Sequence, residues 1–124
     1  MTDFGLSQIG QIAVVVKDLE RATGFYRDTL GMKFLFQAPN LAFFDCGGIR
    51  LMLSPPEGAT ETYSSVLYYK VADIQGTHDE LARRGVRFEG KPHLIAKLPD
   101  HDLWMAFFRD SEGNLLALMS EVLG

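Results

Sequence analysis

The sequence of 124 residues has one cysteine, no run of basic residues and no long uncharged apolar stretch. The lone Cys46 excludes an internal disulfide and a thiolate metal cluster, which fits a reducing compartment. Lys and Arg total 12 against 16 Asp and Glu, and this balance argues against an electrostatic nucleic-acid binder. No uncharged stretch approaches the ~20 residues that cross a bilayer, and Met1–Gly5 has no signal-peptide features. We therefore expect a cytoplasmic protein with no membrane association.

The composition that is present indicates a folded chain. Hydrophobic residues make up 47% of the sequence, which excludes intrinsic disorder. A chain of this length buries about two-thirds of its extended surface and forms a core without needing disulfides or structural metals. We predict a single domain over residues 1–124.

The chain divides into two halves that repeat the same order of elements. Val14–Ala22 is similar to Tyr69–Thr77, and each half then has a glycine that ends a helix, Gly31 or Gly85. Internal repeats of this kind indicate a duplicated structural unit. The pattern predicts module 1 at about residues 8–54, a linker at 55–63 and module 2 at about 64–121.

Each half shows apolar, β-branched runs around one amphipathic helix. Asp18 and Asp73 stand at the expected N-caps of the two helices, and Gly47-Gly48 predicts a tight hairpin. The predicted helices cover residues 19–30 and Ile74–Arg84. The predicted strands are Ile9–Val16, Lys33–Ala38, Ala42–Cys46, Ile49–Ser54, Ser65–Val71, Val86–Lys91, Leu94–Leu98, Leu103–Arg109 and Asn114–Ser120.

Two motifs resemble those of a known superfamily. Val16–Ala22, with Phe25–Asp28 and Leu30–Met32, looks like the first half of the vicinal-oxygen-chelate superfamily, which includes glyoxalase I, extradiol dioxygenases and bleomycin-resistance proteins. Phe107–Asn114 resembles the turn near the end of the same domain. The resemblance implies an α+β fold of two βαβββ modules that form half-barrel sheets with one helix each on the convex side. It also implies a homodimer.

The resemblance implies two metal-ligand positions in each module of the metal-dependent members. Carried over by position, they fall on Gln11, Met52, Val66 and Ala117. Of these, Gln11 alone offers an oxygen to a hard cation, and a thioether suits soft ions. Metal catalysis needs three or four ligands around an open coordination position. We therefore expect no metal and no other cofactor, and glyoxalase or dioxygenase activity of the metal-dependent kind is not favoured.

Alternation along the predicted strands assigns side chains to the concave face. If Gln11 and Met52 face the cavity, the helix-side positions are nearly all apolar, which supports this register. The predicted ligand-binding residues are mostly apolar and aromatic, as in a small-molecule pocket: Gln11, Phe43, Met52, Val66, Tyr68, Trp104, Phe107 and Ala117. The same side chains could instead fill the interior of a small half-barrel by packing alone.

The histidines suggest a second chemistry. Pro99–Trp104 is predicted as a polar lid, and its His101 is a candidate general base beside two aspartates, although a solvated loop residue is the favoured interpretation. His78 is interpreted as a packing residue and Cys46 as part of the helix-side core. The sequence favours a metal-independent protein that binds a small apolar or aromatic molecule. The alternative is a glyoxalase-like lyase or isomerase that uses a non-standard metal or base, such as His101 or Glu121.

Overall fold

The computed structural model describes residues 4–56 and 65–123. These residues form two helices, α1 (Leu19–Gly24) and α2 (Ile74–Arg83), and a π-helical turn over Phe25–Thr29 that continues α1. Their strands are β1 (Gln11–Val15), β2 (Lys33–Ala38), β3 (Leu41–Cys46), β4 (Ile49–Ser54), β5 (Leu67–Lys70), β6 (His93–Lys97), β7 (His101–Arg109) and β8 (Leu115–Leu123). The predicted linker lies mostly outside the described residues.

The strands form two four-stranded sheets with the same connectivity. The first has the order β1-β4-β3-β2 and the second β5-β8-β7-β6. In each sheet the first strand of the module runs parallel to its last strand, and the other pairs are antiparallel. The predicted α+β fold of two βαβββ modules is confirmed.

The core lies between the sheets and the helices and is shared by both modules. Residues on the helix side of each sheet are fully buried, among them Val14, Leu53, Phe44, Phe108 and Leu116. These positions alternate with more exposed ones along β1 and β4, as expected for strands covered on one face. The helix-side assignment predicted from alternation is therefore correct for these strands.

Local capping follows the sequence signals. Asp18 and Asp73 accept hydrogen bonds from the backbone N–H of Arg21 and Gly76 at the two helix N-termini. Gly47 and Gly48 have φ of 62° and 91°, which is the left-handed geometry of a two-residue hairpin.

Two predicted elements differ from the structure. Val86–Lys91 is not a strand, and its Phe88 makes only an isolated bridge to Phe108. Gly90, at φ 122°, and Pro92 follow and prevent a continuous ladder. The first predicted helix is α-helical only as far as Gly24. Beyond it, the N–H of Leu30 donates to the carbonyl of Phe25, the wider spacing of a π-helical turn.

Candidate functional site

The face of each sheet that is turned away from the helices, called here the open face, carries most of the predicted site residues. In the first sheet, strand register places Met52 between Ala13 and Phe43, and Phe36 follows beside Phe43. The rings of Phe36 and Phe43 are stacked with centroids 4.6 Å apart. Phe36 is still 47% exposed, so an apolar aromatic surface is open to solvent here.

Gln11 adjoins this aromatic surface through its contact with Met52. Its side-chain Nε2 donates to the Met52 sulfur at 3.7 Å. A thioether is a weak acceptor, so the amide retains most of its capacity to bond a ligand. The structure thus brings Gln11, Met52 and Phe43 together in one group.

The second sheet forms a similar group. Ala117 lies between Tyr68 and Phe107 in strand register, and the two rings meet edge to face at 6.3 Å. Tyr68 is 48% exposed, whereas Ala117 is completely buried. Val66 is partly buried just before β5. The predicted residues of this module therefore collect around Tyr68.

Trp104 does not join these residues. In β7 its side chain lies on the opposite side of the sheet from Met105 and Phe107. It packs against the buried core on the helix side. The predicted lid over Pro99–Trp104 is also wrong, because β7 begins at His101 and pairs with β8 along its whole length. His101 and Asp102 of this segment belong to a strand that is longer than its apolar pattern indicates.

The four positions implied for a metal do not suit a divalent ion. Their side chains are an amide, a thioether, an isopropyl group and a methyl group, so Gln11 offers the one hard oxygen donor. Within residues 4–56 and 65–123, no three His, Cys, Asp or Glu side chains are grouped to hold a metal ion. These four side chains therefore do not form the donor set of a divalent metal site of the kind that the resemblance implies.

His101 stands in a row of charged side chains at the far end of the open face of module 2. Its Nδ1 lies 2.8 Å from Asp100 Oδ1, and its Nε2 lies 4.0 Å from Glu121 Oε2. The other oxygen of Glu121 is 3.0 Å from Lys70 Nζ. The His101 side chain is only 15% exposed, so the preferred interpretation as a solvated loop residue is wrong.

The structure confirms that His78 is a packing residue and places Cys46 outside the core. His78 is largely covered and its ring lies 4.2 Å from that of Phe88, as predicted for a packing residue. Cys46 is exposed and was wrongly assigned to the core, because it is the last residue of β3 and precedes the hairpin glycines. Partial desolvation of its thiol, together with the Asp45 carboxylate, raises the pKa of Cys46.

A joint between the modules was missed by the sequence reasoning. Glu112 of module 2 accepts hydrogen bonds from the backbone N–H of Lys17 and Asp18, at 3.1 and 2.8 Å, and from Arg21 Nε at 2.8 Å. Its side chain is 2% exposed. Burial raises the pKa of Glu112, but the bonds from Arg21, Asp18 and Ser111 outweigh burial and hold that pKa below its usual value.

The neighbouring Asp110 is the second part of this joint. It is buried and accepts from the Tyr26 hydroxyl at 2.7 Å and from the Asn114 side chain at 3.0 Å. The backbone N–H groups of Glu112 and Asn114 also donate to it. The residue types and spacing of the turn Asp110–Asn114 do not by themselves reveal that it faces the other module.

Comparisons with known proteins agree with this architecture. The chain is 30% identical over 126 aligned positions to the uncharacterized protein YraH of Bacillus subtilis, covering 87% of this chain and 94% of YraH. The fold resembles that of lactoylglutathione lyase from Agrobacterium tumefaciens, with TM-score 0.79 and 21% identity over 94% of this chain and 95% of that one. It also resembles TnmS3, an antibiotic binding protein from Streptomyces sp. CB03234, with TM-score 0.76 and 24% identity over 96% and 99% of the two chains.

The structure has no helix, within the part of the chain that it describes, that is long and apolar enough to span a membrane. Residues 8–118 match the model of the Glyoxalase/Bleomycin resistance protein/Dioxygenase superfamily. With the repeated βαβββ modules and the motifs around α1 and the Asp110 turn, this match shows that the chain belongs to that superfamily.

Proposed function

We propose that this protein binds a small apolar or aromatic molecule on the open face of its sheets without a divalent metal. The observation that carries the proposal is the exposed aromatic surface formed by Phe36 and Phe43, with Met52 beside it and the Gln11 amide at its edge. Apolar walls with a few placed polar groups are typical of small-molecule sites. The fold shared with TnmS3, an antibiotic binding protein, is consistent with this mode.

Met52 beside Phe43 and Ala117 in the corresponding group of module 2 carry no charge, which favours a neutral ligand; a charged group at this surface is the Arg50 guanidinium, 5.8 Å from the Phe43 ring centroid. By the resemblance, Met52 and Ala117 occupy positions where the superfamily's metal-dependent members have a residue that coordinates the metal. A buried carboxylate without its metal would oppose an uncharged molecule through its own desolvation. A floor of thioether and methyl groups has no such cost and offers dispersion contacts to an aromatic ring.

Titration calorimetry with 2-naphthol tests this proposal. The ring would stack on Phe36, and its hydroxyl would bond Gln11. We expect Phe36→Ala to weaken binding by up to about tenfold, since an aromatic pair contributes about 0.5–1.5 kcal/mol beyond its buried area. Leu35→Ala is the matched control, because Leu35 is also exposed on β2 at 39% but sits at the irregular step of the β2–β3 ladder. Equal affinities for the two variants would contradict the proposal.

A charge restored at the floor gives a second test. Met52→Glu should weaken 2-naphthol binding, because Met52 lies between Ala13 and Phe43 and an unpaired buried carboxylate costs several kcal/mol unless it is protonated. Ala117→Glu places the same charge in the corresponding group of module 2. Since Ala117 is fully buried between Tyr68 and Phe107, its variant should also melt at a lower temperature. If no aromatic compound shifts the wild-type melt and Ala117→Glu unfolds the domain, the open face is packed core and not a site.

The second candidate function is a lyase or isomerase that uses His101 as a base. It is favoured by the largely buried imidazole that lies between Asp100 and Glu121, since a flanking carboxylate fixes the orientation of the ring. Formation of S-lactoylglutathione from methylglyoxal and glutathione, measured with a metal chelator present, tests it. Activity lost in His101→Asn but kept in His93→Asn would support this function, and inactive wild-type protein would exclude that reaction.

We also propose that two chains associate. The outer strands β2 and β6 carry exposed apolar side chains, namely Leu35, Phe36, Leu94 and Ile95, and an uncovered apolar edge favours pairing with another chain. Light scattering at micromolar concentration should give twice the mass of the chain. A monodisperse single-chain species would refute association.

A further inference from the structure

A cavity of about 350 Å³ lies between the two modules, apart from the aromatic surface of module 1. It is formed by β1, β4, the end of β3, the segment after the π-helical turn, and β5. Its lining residues are uncharged: Ile12, Met32, Cys46, Ile49, Leu51, Leu67, Tyr68 and Tyr69. A volume near the lower end of that of known small-molecule sites, with walls of this kind, suits a compact neutral ligand.

A second cavity of about 230 Å³ adjoins the first. Met32 and Tyr69 line both, so this pair of side chains forms the partition between them. The Tyr69 hydroxyl donates to the Met32 sulfur at 3.6 Å. Methionine has three flexible side-chain torsions and adapts to irregular space, so the partition can shift without a change in the backbone.

The Tyr69 hydroxyl gives this cavity a preference for ligands that carry a hydrogen-bond acceptor. Burial, with smaller contributions from Cys46 and Asp110, raises the pKa of Tyr69, so the group remains a protonated donor at physiological pH. Its acceptor is a thioether sulfur, which accepts hydrogen bonds weakly. A carbonyl oxygen from a ligand would be a better acceptor for the same O–H group.

We infer that this intermodule cavity is a second ligand site, which takes a small neutral molecule carrying one hydrogen-bond acceptor, such as an aryl ketone or ester. The ligand's carbonyl oxygen replaces the Met32 sulfur as acceptor of the Tyr69 hydroxyl, and its apolar part packs on Ile12, Leu51 and Leu67. Ionic molecules are disfavoured because the lining holds no charge to offset their desolvation. The inference does not depend on ligand binding at the aromatic surface of module 1.

Acetophenone and α-methylstyrene test the inference as a matched pair, since they differ in a carbonyl oxygen against a methylene group. Binding is measured by titration of the ¹H–¹⁵N spectrum of the full chain. We expect wild-type protein to prefer acetophenone by about two- to tenfold, the range that one neutral hydrogen bond contributes. Tyr69→Phe should remove this preference and leave the affinity for α-methylstyrene unchanged.

Two further variants locate the site. Leu67→Trp should abolish binding of both compounds by filling the cavity, and Ile49→Phe at the opposite wall serves the same purpose if the first variant does not fold. Phe36→Ala should weaken 2-naphthol binding at the aromatic surface and leave acetophenone binding unchanged. The inference is overturned if neither compound binds at millimolar concentration, if wild-type protein shows no preference, or if Tyr69→Phe retains it.

Discussion

Replacement of Tyr26 by Phe is the sharpest test of how the two modules are held together. The Tyr26 side chain is fully buried in the π-helical turn of module 1, and its hydroxyl donates to Asp110 Oδ2 of module 2 at 2.7 Å. The substitution keeps the ring and removes one of four donors to a buried carboxyl group. A hydrogen bond to a charged group contributes about 1.5–3 kcal/mol, and we expect the free energy of unfolding to fall by that amount.

This loss of stability can be measured as a fall in Tm, by thermal unfolding followed by circular dichroism. An unfolding entropy of about 2.1 cal/mol/K per residue over 124 residues gives a shift of about 4 °C per kcal/mol. Tyr26→Phe should therefore lower Tm by about 6–12 °C. Tyr69→Phe is the matched control: its hydroxyl is partly buried and donates to the Met32 sulfur, so a clearly smaller shift is expected.

The Tyr26–Asp110 bond does not hold the modules together as described if the two tyrosine variants lose the same stability, or if Tyr26→Phe lowers Tm by less than about 2 °C, which is about 0.5 kcal/mol on the same scale. A denaturant titration should show an unchanged slope, because both variants bury the same surface as the wild-type chain. A reduced slope would mean that the modules separate before they unfold, which also contradicts a joint that acts in the cooperative transition.

Three further predictions follow from the hairpin, the joint and the exposed thiol. Gly48→Ala should destabilise the fold by about 1–2 kcal/mol, since φ is 91° there, whereas Gly10→Ala, with open space around the added carbon, should change Tm little. Glu112→Gln should be less stable than wild type at pH 7. Because the pKa of Glu112 is lowered in the folded state, its contribution to stability is complete above the unfolded pKa of about 4.3 and is lost as pH falls through the folded pKa. In melts from pH 7 to 3, the difference in Tm between wild type and Glu112→Gln should therefore shrink. A constant difference would contradict the charge-based explanation. Cys46 should react with a maleimide in the native protein, slowly at pH 7 and faster as pH rises, because its thiol is exposed and its pKa is raised; protection until unfolding would restore the buried assignment.

The sequence predicted the features that depend on periodicity and on local turn chemistry. Alternation around Val14 and Leu53 placed the helix-side core correctly, and Gly47-Gly48 fixed the pairing of Asp45 with Arg50. These features succeed because a strand has two faces and a two-residue hairpin has one register.

Features that depend on contacts between distant segments were not predictable in this way. Trp104 was expected with the other aromatic residues, but the strand that carries it starts at His101, and strand phase turns its ring toward the helices. The environments of Asp110 and Glu112 depend on module 1, which the composition of their own turn does not encode. The open-face site itself remains a prediction, because packing and ligand binding call for the same apolar side chains.

The joint at Glu112 has a consequence for the order in which the chain acquires its structure during translation. The carboxylate that receives the N–H of Asp18 is 94 residues further along the chain. At about 5–20 residues per second, a ribosome takes about 5–20 s to cover that distance. For that interval the backbone N–H groups of Lys17 and Asp18 lack their Glu112 acceptor, and the Tyr26 hydroxyl lacks Asp110. The nascent first module therefore reaches its final stability only when nearly the whole chain has been made, so chains cut short before Asp110 should be preferred substrates for proteolysis.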